Sequence, residues 1–142
     1  MRFAGIDYWA VFIAAIAGYA TGALWYWALS KRWLAAHGFP EDMMQGKSGE
    51  KPSPIPFVVA FIADLVMAWV LAGLIGHLGI GQVTPQNGVI SAAFVWLGFV
   101  ITTLGVNNSF AKRNPILIAI DGGHWLAVLL VMGAIIGLVG VG

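Results

Sequence analysis

The chain has 142 residues, 60% of them hydrophobic and 9% charged, with a net charge of +1. A soluble domain carries about 25% charged residues, so seven basic and six acidic side chains cannot cover a water-soluble globule of this length, and the composition places the chain in a membrane. High hydrophobicity excludes a disordered chain, near-neutral charge gives no basis for a nucleic-acid partner, and the absence of cysteine excludes disulfides, thiolate metal sites and thiol nucleophiles.

A helix needs about 20 apolar residues to cross the hydrocarbon. Four runs qualify: residues 8–29, 55–78, 89–110 and 116–139. Each is about twice the length of a barrel strand and none alternates strictly, so helices are the only reasonable spanning elements. The predicted fold class is all-α: a polytopic membrane protein with four transmembrane helices in an antiparallel bundle, forming a single transmembrane domain. The first run continues through Leu24, Trp25, Tyr26 and Trp27, too long and too aromatic for a cleavable signal, and reads as retained.

The connections suit these spans. Residues 30–54 form the one long polar stretch. Its start, Lys31 to Ala36, is predicted to continue the first helix beyond the membrane, and Gly38 to end it. Pro40-Glu41-Asp42 can open a short surface helix, and the prolines between Lys47 and Pro56 predict an extended segment. Thr84-Pro85 and Asn114-Pro115 each place a capping side chain before a proline at the first helical position. The very short turn Lys112–Asn114 makes the third and fourth helices antiparallel neighbours.

Orientation follows from the basic residues. Lys31, Arg32, Lys47, Lys51, Lys112 and Arg113 lie on one side of a four-span arrangement, and Arg2 alone lies on the other. The positive-inside rule then puts the loops after the first and third helices in the cytoplasm and both termini outside, in a bacterial inner membrane.

Small residues recur on every helix: Ala14, Gly18 and Gly22; Ala60, Ala68, Ala72 and Gly76; Ser91, Gly98, Thr102, Gly105 and Ser109; Gly133 and Gly137. Such rows let helix backbones approach closely in lipid, where apolar side chains give no hydrophobic drive to associate.

Polar residues inside the spans are costly and therefore informative. Asp64 fills the vacant place in the row Ala60, Ala68, Ala72, Gly76, which points it at protein. Asp121 and His124 lie three apart, on one helix face. They sit within about ten ångström of the cytoplasmic boundary at the helical rise. Asn107 and Asn108 close the third helix at the same depth, whereas His77 sits at the outer end of the second. Three readings stay open for this set. The polar groups serve helix packing; or Asp64, Asn107, Asn108, Asp121 and His124 form a path for a proton, a cation or a small polar solute; or Asp121 and His124 supply two ligands to a metal, which needs a third from another helix. No serine elbow, phosphate loop, HExxH or paired-glutamate pattern is present. No catalytic residue, metal or cofactor is therefore assigned, and an enzyme is disfavoured.

Trp25, Tyr26, Trp27 and Trp33, next to Lys31 and Arg32, read as an interfacial anchor. Binding of a lipid head group through Lys31 and Arg32 is the other reading. The expected partners are the lipid bilayer and further copies of the chain, because four helices rarely enclose a transport path alone.

The stretch Gly22-Ala23-Leu24-Trp25-Tyr26 with Trp33, then Trp96-Leu97-Gly98-Phe99, Asn107, Arg113, His124 and Gly133, resembles a bacterial membrane family known as domain of unknown function 1761. The resemblance spans nearly the whole chain except Met43 to Pro56. It implies a small four-helix membrane protein without an assigned activity, and draws attention to Trp25, Tyr26, Trp96, Asn107 and His124. Trp27-Ala28 stands where the family often has Ser-Pro, Gly123 where an aromatic often precedes the histidine, and Asp121 where an amide is common. The resulting expectation is a transport or permeation protein, with an accessory subunit of a membrane complex as the alternative.

Overall fold

A computed structural model describes residues 1–40 and 53–142; the short helix expected at Pro40-Glu41-Asp42 and most of the extended segment lie outside the described residues. The chain is all-α apart from a minute hairpin, and four helical stretches are long and apolar enough to cross a membrane.

The hairpin pairs β1 (Arg2–Phe3) with β2 (Ile6–Asp7). Its turn is Ala4-Gly5, both at positive φ, 52° and 82°, the backbone that a tight two-residue hairpin requires. The Arg2 Nε donates to Asp7 Oδ1 at 2.8 Å across the pair. Phe3 packs on Trp69 with ring centroids 5.1 Å apart, and Ile6 is fully buried. Asp7 N donates to the Gly140 carbonyl at 2.8 Å, so the hairpin seals one end of the bundle.

Helix α1 spans Tyr8–His37 and ends as the sequence predicts. Gly38 is left-handed, its N–H bonds Ala35 O at 3.0 Å, and Phe39 N bonds Leu34 O at 2.9 Å. This is the glycine cap that satisfies the last carbonyls. Helix α2 (Ile55–Gly76) starts with Pro56 inside its first turn, where a missing N–H costs nothing. The extended segment expected to reach Pro56 therefore stops before Ile55. At its far end α2 stops at Gly76, two residues short of the predicted span, and His77 Nδ1 turns back to Gly73 O at 2.6 Å.

The third span is helix α3 (Pro85–Val95), one π turn (Trp96–Val100) and helix α4 (Ile101–Phe110). Thr84 caps α3 by accepting from Asn87 N at 3.1 Å. At the π turn Ile101 N bonds the carbonyl of Trp96, five residues back. Helix α5 (Pro115–Val139) opens with Asn114 accepting from Ile116 N at 3.1 Å.

Helix α5 is the centre of the fold. It packs along α1 and along α3, and also meets α2 and α4. Gly18 faces Met132 and Val128, and Gly22 faces His124, so α1 and α5 run antiparallel. Gly88 abuts Gly133, and Gly137 abuts Thr84, so α3 and α5 run antiparallel as well. Tyr19 meets Phe61 edge-on at 5.6 Å while Phe3 meets Trp69, which makes α2 antiparallel to α1.

The close contacts use the predicted small residues of α1, α2 and α5, but not those of the third span. Gly98 and Gly105 have nothing near the position of a side chain, and Thr102 and Ser109 are exposed, each hydroxyl bonded to its own helix. The row that meets α5 is Gly88, Ala92 and Trp96, continued by Ile101 and Asn108. The predicted row assumes an unbroken α-helix, and the π turn inserts one residue and rotates everything after it.

The apolar core lies toward the hairpin end, built on Ala10, Ala14 and Ala15 of α1, Ala68, Leu71, Ala72 and Ile75 of α2, and Val128, Leu129, Met132 and Ile136 of α5. The buried polar residues begin where this core stops. Asp64 is one turn before Ala68, and His124 one turn before Val128. They fill the half of the bundle nearer its basic end, where Lys31, Arg32, Lys112 and Arg113 lie.

Candidate functional site

The polar half is organised by α1 and α5. Seven positions along α1, from Gly22 to Ala28, carry the Gly22, Trp25 and Tyr26 side of a helix whose other side is exposed at Ala23, Leu24 and Trp27. Gly22 lets the His124 ring lie directly on the α1 backbone: a Cβ there would sit 2.7 Å from Nε2. One turn on, Tyr26 Oη donates to Asp121 Oδ1 at 2.6 Å, the short separation of a hydroxyl bonded to a carboxylate. The Tyr26 ring also lies against the His124 ring, with centroids 4.7 Å apart. Tyr26 thus touches both members of the Asp121-x-x-His124 pair, and Trp125 closes the other side of the histidine at 4.4 Å.

Two indoles brace this part of α5. Trp25 Nε1 donates to Ile120 O at 2.9 Å, and Trp96 Nε1 donates to Gly122 O at 2.7 Å. Helical carbonyls have a second lone pair free for such a donor. Gly123 makes room for the Trp25 ring and Gly122 for Ile101, so the glycine pair before His124 is a seat for side chains from two other helices. Trp96→Phe removes one of these bonds while keeping an aromatic ring. The expected loss is about 1 kcal/mol of stability, read as a lowered midpoint of thermal unfolding in detergent. An unchanged midpoint would show that the indole bond contributes nothing.

The remaining predicted residues fall in different places. Asp64 is buried, and its Oδ1 has no hydrogen-bond partner among the described residues. Asn108 is buried with Nδ2 unpartnered, and His124 Nδ1 is likewise unpartnered. Asn107, its neighbour, is exposed. A regular helix would put Asn107, eleven residues and about three turns after Trp96, on the Trp96 face. The extra residue of the π turn gives that place to Asn108.

Of the aromatic group, Trp25 and Tyr26 turn into the bundle and bind α5, whereas Trp27 is 79% exposed. Trp33 packs on Tyr26, His37 and Phe39. Lys31 and Arg32 are exposed. Among the described residues no three His, Cys, Asp or Glu side chains gather as a metal site, so the third ligand that an Asp121–His124 metal site requires is not supplied there. The structure brings Tyr26, Asp121 and His124 together. Tyr26 was expected as an anchor; its spacing of four from Gly22 on a helix is the signal that places it with His124.

The pattern described as Protein of unknown function (DUF1761) matches residues 9–137. The chain belongs to this family. The match covers all four spans, and the DUF1761 region includes each residue of the cluster as well as Trp25 and Trp96. No curated protein and no solved structure matches the chain.

Proposed function

We propose that this membrane protein handles a proton, a cation or a small polar solute at the Tyr26–Asp121–His124 cluster. The observation that supports the reading is the Tyr26–Asp121 hydrogen bond of 2.6 Å inside the bundle, with the His124 ring against the same phenol and its Nδ1 unpartnered. A hydroxyl, a carboxylate and an imidazole in sequence can pass a proton, or can replace the hydration of a small solute. Ionisable groups in a bilayer are expensive and typically mark such pathways. Six of seven basic residues lie at the end nearer the cluster. In our reading this end faces the cytoplasm of a bacterial inner membrane, with both termini outside.

The test is flux in proteoliposomes, with a pH-sensitive dye for protons and separate gradients of sodium and potassium. Wild-type protein is expected to carry one of these. Asp121→Asn and His124→Ala are expected to lose at least about tenfold, a barrier change of about 1.4 kcal/mol. Variants that fold and match the wild type would sink the proposal.

One observation favours the accessory-subunit alternative. Only 6% of the third span's most apolar window is buried, against 33% to 44% in the other three. An outer face carrying Phe94, Phe99 and Gly105 is then open to another chain or to lipid. Native mass spectrometry after gentle extraction separates these cases: a stable foreign partner supports the subunit reading, and a monomer or homo-oligomer removes it.

A further inference from the structure

A groove of about 600 Å³ lies between α1 and the start of α5, at the basic end. On α1 it is lined by Trp25, Leu29 and Arg32, at helical spacings of four and three, which is one face of one helix. On α5 it is lined by Asn114, Ala119 and Ile120. The Trp25–Ile120 hydrogen bond closes its inner end. With that N–H committed, the indole presents apolar ring surface to the groove.

The lining changes character along its length. Its outer end carries a guanidinium and an amide. Its inner end is aromatic and aliphatic. From Trp25 to Arg32 is about 10 Å along the helix at its rise per residue, comparable with the distance from a lipid phosphate to the first carbons of its chains. Arg32 stands at the end of the apolar run of α1, where a bilayer puts its phosphates. Lys31, Lys112 and Arg113 add positive charge to the same end. Free phosphate would use the outer end and leave the apolar walls uncovered, whereas a phospholipid uses both.

We propose that this groove binds one anionic phospholipid, its phosphate held by Arg32 and one acyl chain laid against Leu29, Ala119 and the Trp25 ring. Guanidinium is suited to this because its planar fork pairs two phosphate oxygens at once. Basic pockets between transmembrane helices hold lipid head groups in the same way. Lys31, next in sequence, is not part of the groove lining. The site therefore differs from general attraction of basic residues to an anionic surface, which would use both side chains alike.

The experiment uses the full chain, purified in detergent and titrated with phosphatidylglycerol, phosphatidylcholine or inorganic phosphate, with retained lipid read by native mass spectrometry. Wild type is expected to retain one phosphatidylglycerol with about tenfold preference over phosphatidylcholine. Arg32→Ala is expected to lose most of that preference, while Lys31→Ala stays within about twofold of wild type. Ala119→Phe fills the apolar end at an exposed position without altering charge, and is expected to lower retention of both lipids. Equal losses from Lys31→Ala and Arg32→Ala, or full retention by Ala119→Phe, would overturn the proposal. So would binding of inorganic phosphate that competes phosphatidylglycerol away.

Discussion

Gly88→Ala is expected to force α3 off α5 and to destabilise the protein by about 2 kcal/mol or more, at the upper end of what overpacking costs. A methyl group at Gly88 would run into the Gly133 carbonyl, and one at Gly133 would run into the Gly88 carbonyl and approach the Ala92 side chain. A crowded side chain can choose another rotamer, but a crowded backbone carbonyl moves only with its helix. The two glycines face each other, so neither helix can yield without losing the other's contact. Gly133→Ala should therefore cost a similar amount. Gly98→Ala and Gly105→Ala provide the control. Their side-chain positions meet nothing, and alanine gains up to about 1 kcal/mol of helix propensity over glycine. Thermal unfolding of the four variants in one detergent separates the two pairs. Gly88→Ala as stable as Gly98→Ala would show that the α3–α5 approach is looser than the structure has it.

Tyr26→Phe is expected to cost about 1 to 2 kcal/mol and to abolish the flux proposed for the cluster. The phenol ring keeps its packing against His124 and Trp33, so the change isolates the hydroxyl. What it removes is the donor to Asp121, leaving a partly buried carboxylate short of a partner. Asp121→Asn in the Tyr26→Phe background should cost less than in the wild type, because the interaction is already gone. The coupling from the double-mutant cycle is expected near 1 kcal/mol, within the range measured for hydrogen bonds between membrane helices. Additive losses would mean that the two groups do not interact. Retained flux in Tyr26→Phe would mean that the phenol is no part of the pathway, whatever its structural effect.

Length, hydropathy and capping chemistry were legible without any packing information, because each acts locally. An apolar run of about 20 residues has few structural options in a bilayer. Gly38, Thr84-Pro85 and Asn114-Pro115 act on the backbone within a turn of themselves, and each marks a helix end. The small-residue rows of α1, α2 and α5 were legible too, since a regular helix repeats with a known period. The hairpin was less visible: a two-residue strand carries almost no pattern, and its stability comes from Phe3 and Ile6 docking on α2 and α5.

What the sequence determined by itself is the class: an all-α chain with four apolar helices, its polar residues collected toward one end. What only the tertiary structure decided is which of those residues meet. Asp64, Asp121 and His124 share a depth in any four-span arrangement, but depth is a coordinate along the helix and contact depends on rotation about it. Rotation is set by non-local packing, as in the seat that Gly22 gives to His124 and the bond that Tyr26 makes to Asp121 across 95 positions. The third span shows the limit most plainly. Extrapolating its period from Trp96 turns Asn107 inward, yet one π turn exchanges it for Asn108. A single inserted residue costs little in the local hydrogen-bond ladder, and the packing of Trp96, Ile101 and Asn108 onto α5 compensates for it.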